Sequence, residues 1–180
     1  MFAGLKPRLI AFGYDYLVIL GIIFVVSLVG SYIAFGPFQE PLTQGLSTPL
    51  ARDVLAFVAV ILPVMLYFAI QESSVAQGTW GKRKAHVRVQ TLAGERMNFG
   101  RSFIRAAVKF LPWQIAHTCL FNIPGWPVAP VEPPAWVLWG FGVVWGLVGV
   151  NFGMLVWSKT HRTLYDWAAG TVVVFSQTLK

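Results

Sequence analysis

The sequence predicts an all-α membrane protein: four transmembrane helices, a short cytoplasmic β-hairpin and a C-terminal interfacial, half-inserted segment. Three observations carry this. Hydrophobic residues make up 56 % of the 180 and charged residues only 12 %, where a soluble domain has about 25 % charged. Apolar stretches of helix length recur along the chain. The basic residues collect in connections that fall on one side of those stretches. One unit, residues 1–180, is expected rather than two domains.

The first span is Leu9–Ile33, an unbroken apolar run with one acid, Asp15, and one arginine, Arg8, at its mouth. At helical rise it covers roughly 37 Å, enough to cross a hydrocarbon core of about 30 Å with some tilt. The run is far longer than the apolar core of a signal peptide, so cleavage is not expected. An ionised carboxylate two turns inside costs at least about 2.5–3.5 kcal/mol unless it is paired or neutralised. Arg8 lies seven positions earlier on the same helix face, and its long side chain is expected to reach toward Asp15.

The second span is Val54–Ile70, with a kink expected at Pro63. The third is Phe103–Phe121, polar at Arg105 and Lys109 and kinked or broken near Pro112. His117 and Gln114 within it, and Asn151 later, read as helix-packing residues. The fourth is Ala135–Trp157. There Gly142, Gly146, Gly149 and Gly153 share one helix face, a close-packing seam either within the bundle, the preferred reading, or between protomers. The eight tryptophans suit a membrane–water interface.

The connections set the orientation. Of the 14 Lys and Arg, only Arg52 falls in the connections on the far side. The positive-inside rule then puts both termini, the loop 71–102 and the tail 158–180 in the cytoplasm. Net charge is +7, but its placement beside apolar spans points to lipid phosphates rather than nucleic acid. In the loop, Val87 and Val89 alternate with His86, Arg88 and Gln90, a strand period. Leu92–Glu95 supplies a turn and Arg96–Phe99 the expected returning strand. The tail Thr163–Phe175 is too short to span and reads as an interfacial segment.

Several chemistries are excluded. Cys119 is the single cysteine, so no disulfide forms within the chain. The three histidines stand outside ligand spacings, so no metal or other cofactor is expected. Gly78–Arg83 lacks the spacing of a phosphate loop. Its glycines are expected to turn the chain, with Lys82, Arg83 and Lys84 on lipid headgroups. Glu72 is read as an interfacial residue that could alternatively join Asp15. No nucleophile–base set is visible, so an enzyme is not expected.

Three stretches together carry a resemblance. They are Pro7-Arg8-Leu9 with Asp15; Gln77-Gly78-Thr79-Trp80-Gly81-Lys82-Arg83 with Val87-Arg88-Val89, Gly94 and Arg105; and Thr163-Leu164-Tyr165-Asp166 with Ala169-Gly170-Thr171-Val172-Val173. The chain resembles the RDD family of bacterial membrane proteins, named for an arginine and two aspartates. By that resemblance Arg8, Asp15 and Asp166 are the named residues. Tyr165 stands where the family usually has His, and Trp80 where it usually has Leu or Pro. The resemblance implies a multi-pass protein of the bacterial inner membrane and cation/proton transport. An Arg8–Asp15–Asp166 cluster, supported by Arg105, Glu72 or His117, would then be either a transport site or a static tie. Lipid is the expected partner, with a homo-oligomer or a larger complex around the chain; an accessory or scaffold subunit is the rival role.

Overall fold

The computed structural model describes residues 1–36, 40 and 44–176. Part of the first connection and the end of the tail, Lys180 included, lie outside the described residues. Three helices are long and apolar enough to cross a membrane: Leu5–Ile33, Pro49–Ser73 and Ala135–Trp157.

Helix α1 runs Leu5–Phe35, longer at both ends than the apolar run. Leu9, Leu17, Phe24 and Leu28 along it are exposed, as side chains that face lipid are. The second span begins earlier than expected. Thr48 caps α2 (Pro49–Ala56), its hydroxyl accepting the Ala51 N–H, and Pro49 opens the helix, where its missing N–H is harmless. A π-helical turn, Phe57–Ile61, follows, closed by the Leu62 N–H on the Phe57 carbonyl. It leads into α3, Leu62–Ser73. The disturbance expected at Pro63 is thus a widened turn just before the proline, where the ladder is already one donor short.

Short helix α4, Trp80–Lys84, is capped by the Thr79 hydroxyl. Strand β1 is Val87–Thr91. Helix α5 runs Phe99–Phe121 straight through Pro112, so the expected break there does not occur. It contains the third expected span, but Arg101, Arg105 and Lys109 leave it less apolar than the three helices above. Helix α6 is Ala135–Trp157, α7 Leu164–Ala168 and β2 Thr171–Phe175.

The hairpin expectation is corrected. The partner of β1 is β2, antiparallel, with Val87 opposite Phe175 and Thr91 opposite Thr171. Arg96–Phe99 forms no strand. The β-branched run Thr171–Val174 supplies a better strand surface. Within the tail, Thr163 caps helix α7 and Thr171–Phe175 forms strand β2, with Thr171–Val174 buried. Phe2 bridges to Val174, and the Ala3 N–H donates to the Val173 carbonyl at 2.9 Å.

The chain forms two compact units. The first comprises Met1–Ile19, Val64–Phe110 and Val148–Lys180. Its apolar centre gathers Ala3, Ala11, Val87, Val89, Met97 and Val173 under the small sheet. The turn from α7 into β2 is made at Gly170, φ +62°, a left-handed position that a β-carbon would strain.

The second comprises Leu20–Pro63 and Leu111–Leu147. There the Asp53 carboxylate accepts from Gln114 Nε2 at 2.8 Å and from the Thr118 hydroxyl at 2.7 Å. His117 stacks on Phe121, ring centres 6.0 Å apart. Cys119 is buried, its sulfur lying where a Gly140 side chain would begin.

The glycine face of α6 also differs from the preferred reading. A β-carbon at Gly142, Gly146 or Gly149 would meet nothing within 4 Å, and at Gly153 it would meet only Trp157 of the same helix. Among the described residues no neighbouring backbone packs there, so the seam within the bundle is not formed.

Candidate functional site

Of the ionisable residues that the sequence singled out, Arg8, Asp15, Glu72, Lys82, Arg105 and Asp166 sit in the first unit, in two adjoining arrangements. The first is a cradle around Asp15, which is 1 % exposed. Its Oδ1 accepts from the Tyr67 hydroxyl at 2.9 Å and from the Gly81 N–H at 2.8 Å; its Oδ2 accepts from the Thr79 hydroxyl at 2.6 Å. The Tyr67 oxygen in turn accepts the Trp80 N–H at 3.1 Å. Asp15 thus binds the first turn of α4. All of its donors are neutral. The expectation that Arg8 reaches Asp15 is corrected: among the described residues no basic side chain forms an ion pair with it.

The Gly-Thr-x-Gly-Lys element accounts for this cradle residue by residue. Thr79 must be a hydroxyl residue because it caps α4 and donates to Asp15 at once. Gly81 must lack a side chain: a β-carbon there would run into the Ala11 carbonyl oxygen and lie 2.7 Å from the Asp15 carboxyl carbon. Lys82 is buried inside the unit, contrary to the expectation that it lies on headgroups. It is 8 % exposed, its Nζ 2.8 Å from Glu72 Oε1. Arg83 and Lys84 are exposed.

The second arrangement is an ion network centred on Arg105. Its Nη2 lies 2.7 Å and its Nε 3.1 Å from Asp166 Oδ1, while Nη1 pairs with Glu72 Oε2. Arg8 Nη1 reaches Asp166 Oδ2 at 2.6 Å, and its other nitrogens donate to the carbonyls of Ala3 at 3.1 Å and His161 at 2.6 Å. Glu72, read from sequence as interfacial, is completely buried between Lys82 and Arg105. Arg105, placed among supporting residues, is the hub. His117 belongs to the second unit and takes no part.

Helix α7 holds Asp166 in a capping box with Thr163. The Thr163 N–H and hydroxyl donate to Asp166 Oδ2 at 3.1 and 2.9 Å. Tyr165 lays its ring 4.9 Å from the Arg105 guanidinium carbon, a cation–π contact. Burial alone would raise the Asp166 pKa; Arg105 and then Arg8 outweigh it and hold the carboxyl well below the usual range. Ionised partners on every face are what a buried carboxylate requires, and removing one partner of such a set costs about 3–5 kcal/mol.

A cavity of about 170 Å³ opens between the two arrangements. Arg8, Asp15, Lys82, Arg105, Lys109 and Tyr165 supply its polar wall. Lys109 places its Nζ 3.5 Å from the centre of the Phe68 ring. Sequence reasoning noticed Lys109 only as a polar residue at the start of a span. No group of three or more His, Cys, Asp and Glu is arranged to hold a metal ion among the described residues.

The RDD family model matches residues 2–170. No curated protein and no solved structure matches the chain.

Proposed function

The chain belongs to the RDD family, and we propose that it is a multi-pass membrane transporter that exchanges a monovalent cation for a proton at Asp15. One observation carries the reading: Asp15 is a buried carboxylate at the edge of a cavity, held by neutral donors alone. A buried negative charge without a fixed counter-charge is a site for a mobile one. Glu72 and Asp166 differ, because each is already matched by two basic side chains.

In this reading α5 is the fourth span. Both termini and residues 71–102 face the cytoplasm of a bacterium, and Arg83 and Lys84 touch anionic headgroups of the inner membrane. The open glycine face of α6 leaves room for a second copy, which would give a small bundle a wider aqueous path. The rival role, a scaffold subunit, draws support from the fully matched network around Arg105.

The test is cation- and pH-dependent proton flux in proteoliposomes, wild type beside Asp15→Asn, with folding of both verified by thermal melting. Flux in the wild type that disappears in a folded variant supports exchange at Asp15. Absence of flux with Na⁺, K⁺ and Li⁺ in the wild type overturns it in favour of the scaffold.

A further inference from the structure

Resting on that reading, we infer that Lys109 is the proton-carrying group of the exchange, and that its ammonium and the transported cation occupy the cavity in turn. The argument is one of charge matching. Arg8, Lys82 and Arg105 are committed to Glu72 and Asp166. Among the described residues that line the cavity, that leaves one carboxylate outside any ion pair, Asp15, and one cation outside any, Lys109. Both line the same cavity.

The groups that face Lys109 come from every surrounding element: Arg8 and Asp15 on α1, Glu72 on α3, Lys82 on α4, Arg105 one turn earlier on α5, and Tyr165 on α7. Asp166, which Arg8 and Arg105 share, completes the set: four cations, Arg8, Lys82, Arg105 and Lys109, oppose three carboxylates, Asp15, Glu72 and Asp166. The site already carries one surplus positive charge. A metal cation entering beside Asp15 would raise the surplus to two in a buried space, which is strongly disfavoured. Loss of one proton restores the original total.

Lys109 is placed to lose it. An arginine guanidinium does not serve as a proton donor at any ordinary pH. Lys82 is fixed by Glu72 at 2.8 Å. Lys109 is held by the face of Phe68 and by the fields of Glu72 and, more weakly, Asp15; Glu72 is already engaged by Lys82 and Arg105, and a second cation on Asp15 cancels the other. One N–H bond of the ammonium breaks, its electron pair stays on Nζ, and the proton passes to water. The cation takes its place in the field of Asp15. Exit of the cation reverses each step, and the cycle is one cation for one proton with no net charge moved.

Proton release on cation binding tests this without requiring flux. Na⁺ or Li⁺ is added to the purified, weakly buffered protein in detergent while pH and bound cation are followed. The wild type is expected to release about one proton per cation bound. Lys109→Gln is expected to bind the cation and release none, and in proteoliposomes to carry it in response to membrane potential. Lys109→Arg, which keeps its charge, is expected to weaken cation binding at least tenfold. Thermal melting confirms that each variant is folded. Proton release by Lys109→Gln at the wild-type ratio assigns the proton to Asp15 and overturns the inference while leaving exchange at Asp15 intact. Failure of the wild type to bind either cation overturns both.

Discussion

Replacing Gly81 with alanine isolates the contact on which the Asp15 cradle depends. The added methyl would overlap the Ala11 carbonyl oxygen and stand 2.7 Å from the carboxyl carbon and Oδ1 of Asp15. Backbone and a buried carboxylate both oppose it, so α4 must move off α1. Overpacking of this kind costs about 1–3 kcal/mol. The shift also breaks the 2.8 Å hydrogen bond from the Gly81 N–H to Asp15, and a hydrogen bond to a charged group contributes about 1.5–3 kcal/mol. Together the loss is about 3–5 kcal/mol, close to the whole stability of a marginal protein. For a chain of this size that lowers the melting temperature by roughly 6–20 °C. The assay is thermal unfolding in detergent, with Gly146→Ala as the matched control, since a β-carbon at Gly146 meets nothing within 4 Å. The control is expected to melt with the wild type or slightly above it. A Gly81→Ala protein that melts within about 2 °C of the wild type would refute the cradle, because that shift corresponds to less than about 1 kcal/mol.

Further outcomes follow from the same geometry. Tyr67→Phe removes a donor to Asp15 and the acceptor of the Trp80 N–H, and a loss of about 1–3 kcal/mol is expected in the same melt. Thr163→Ala removes the cap of α7 and one donor to Asp166; chemical denaturation is expected to register a loss of about 1–2 kcal/mol. The Asp166 carboxyl is depressed in the folded protein, so its contribution is fully present above the unfolded value of about 3.9 and is lost as pH falls below it. Melting temperature should therefore be insensitive to Asp166 from pH 7 to 5 and drop steeply below about pH 4, more steeply than in an Asp166→Asn variant.

The sequence was most legible where charge interrupts apolar pattern. Arg8, Asp15 and Asp166 stand out because ionised groups beside or within membrane spans demand an explanation. Their partners did not stand out. Arg105 pairs with Glu72 across 33 positions and with Asp166 across 61, and no local period encodes such separations. Lys82 was misread because Lys82-Arg83-Lys84 looks like a run aimed at headgroups, whereas α4 turns its first lysine inward and leaves the next two outside. The strand partner was misassigned for a related reason: nearness in sequence favoured Arg96–Phe99, although Thr171–Val174 has the stronger strand composition. The glycine stripe of α6 announced that something small-sided could pack, but not what.

The ion pair between Arg8 and Asp166 joins residues 158 positions apart, and the bridge from Phe2 to Val174 of β2 closes a similar stretch of chain. Ribosomal synthesis runs in one direction, so α1 enters the membrane long before its counter-charge exists. During that interval Arg8 has only water, lipid phosphate or the insertion machinery for company, and the cradle of Asp15 must wait for Thr79 and Gly81. Biogenesis thus has a built-in order: α1 can be threaded early but locked only once Asp166 and β2 emerge. A chain interrupted before Thr163 would keep its apolar spans and yet carry an unmatched arginine at the mouth of the first, a ready signal for quality-control proteases.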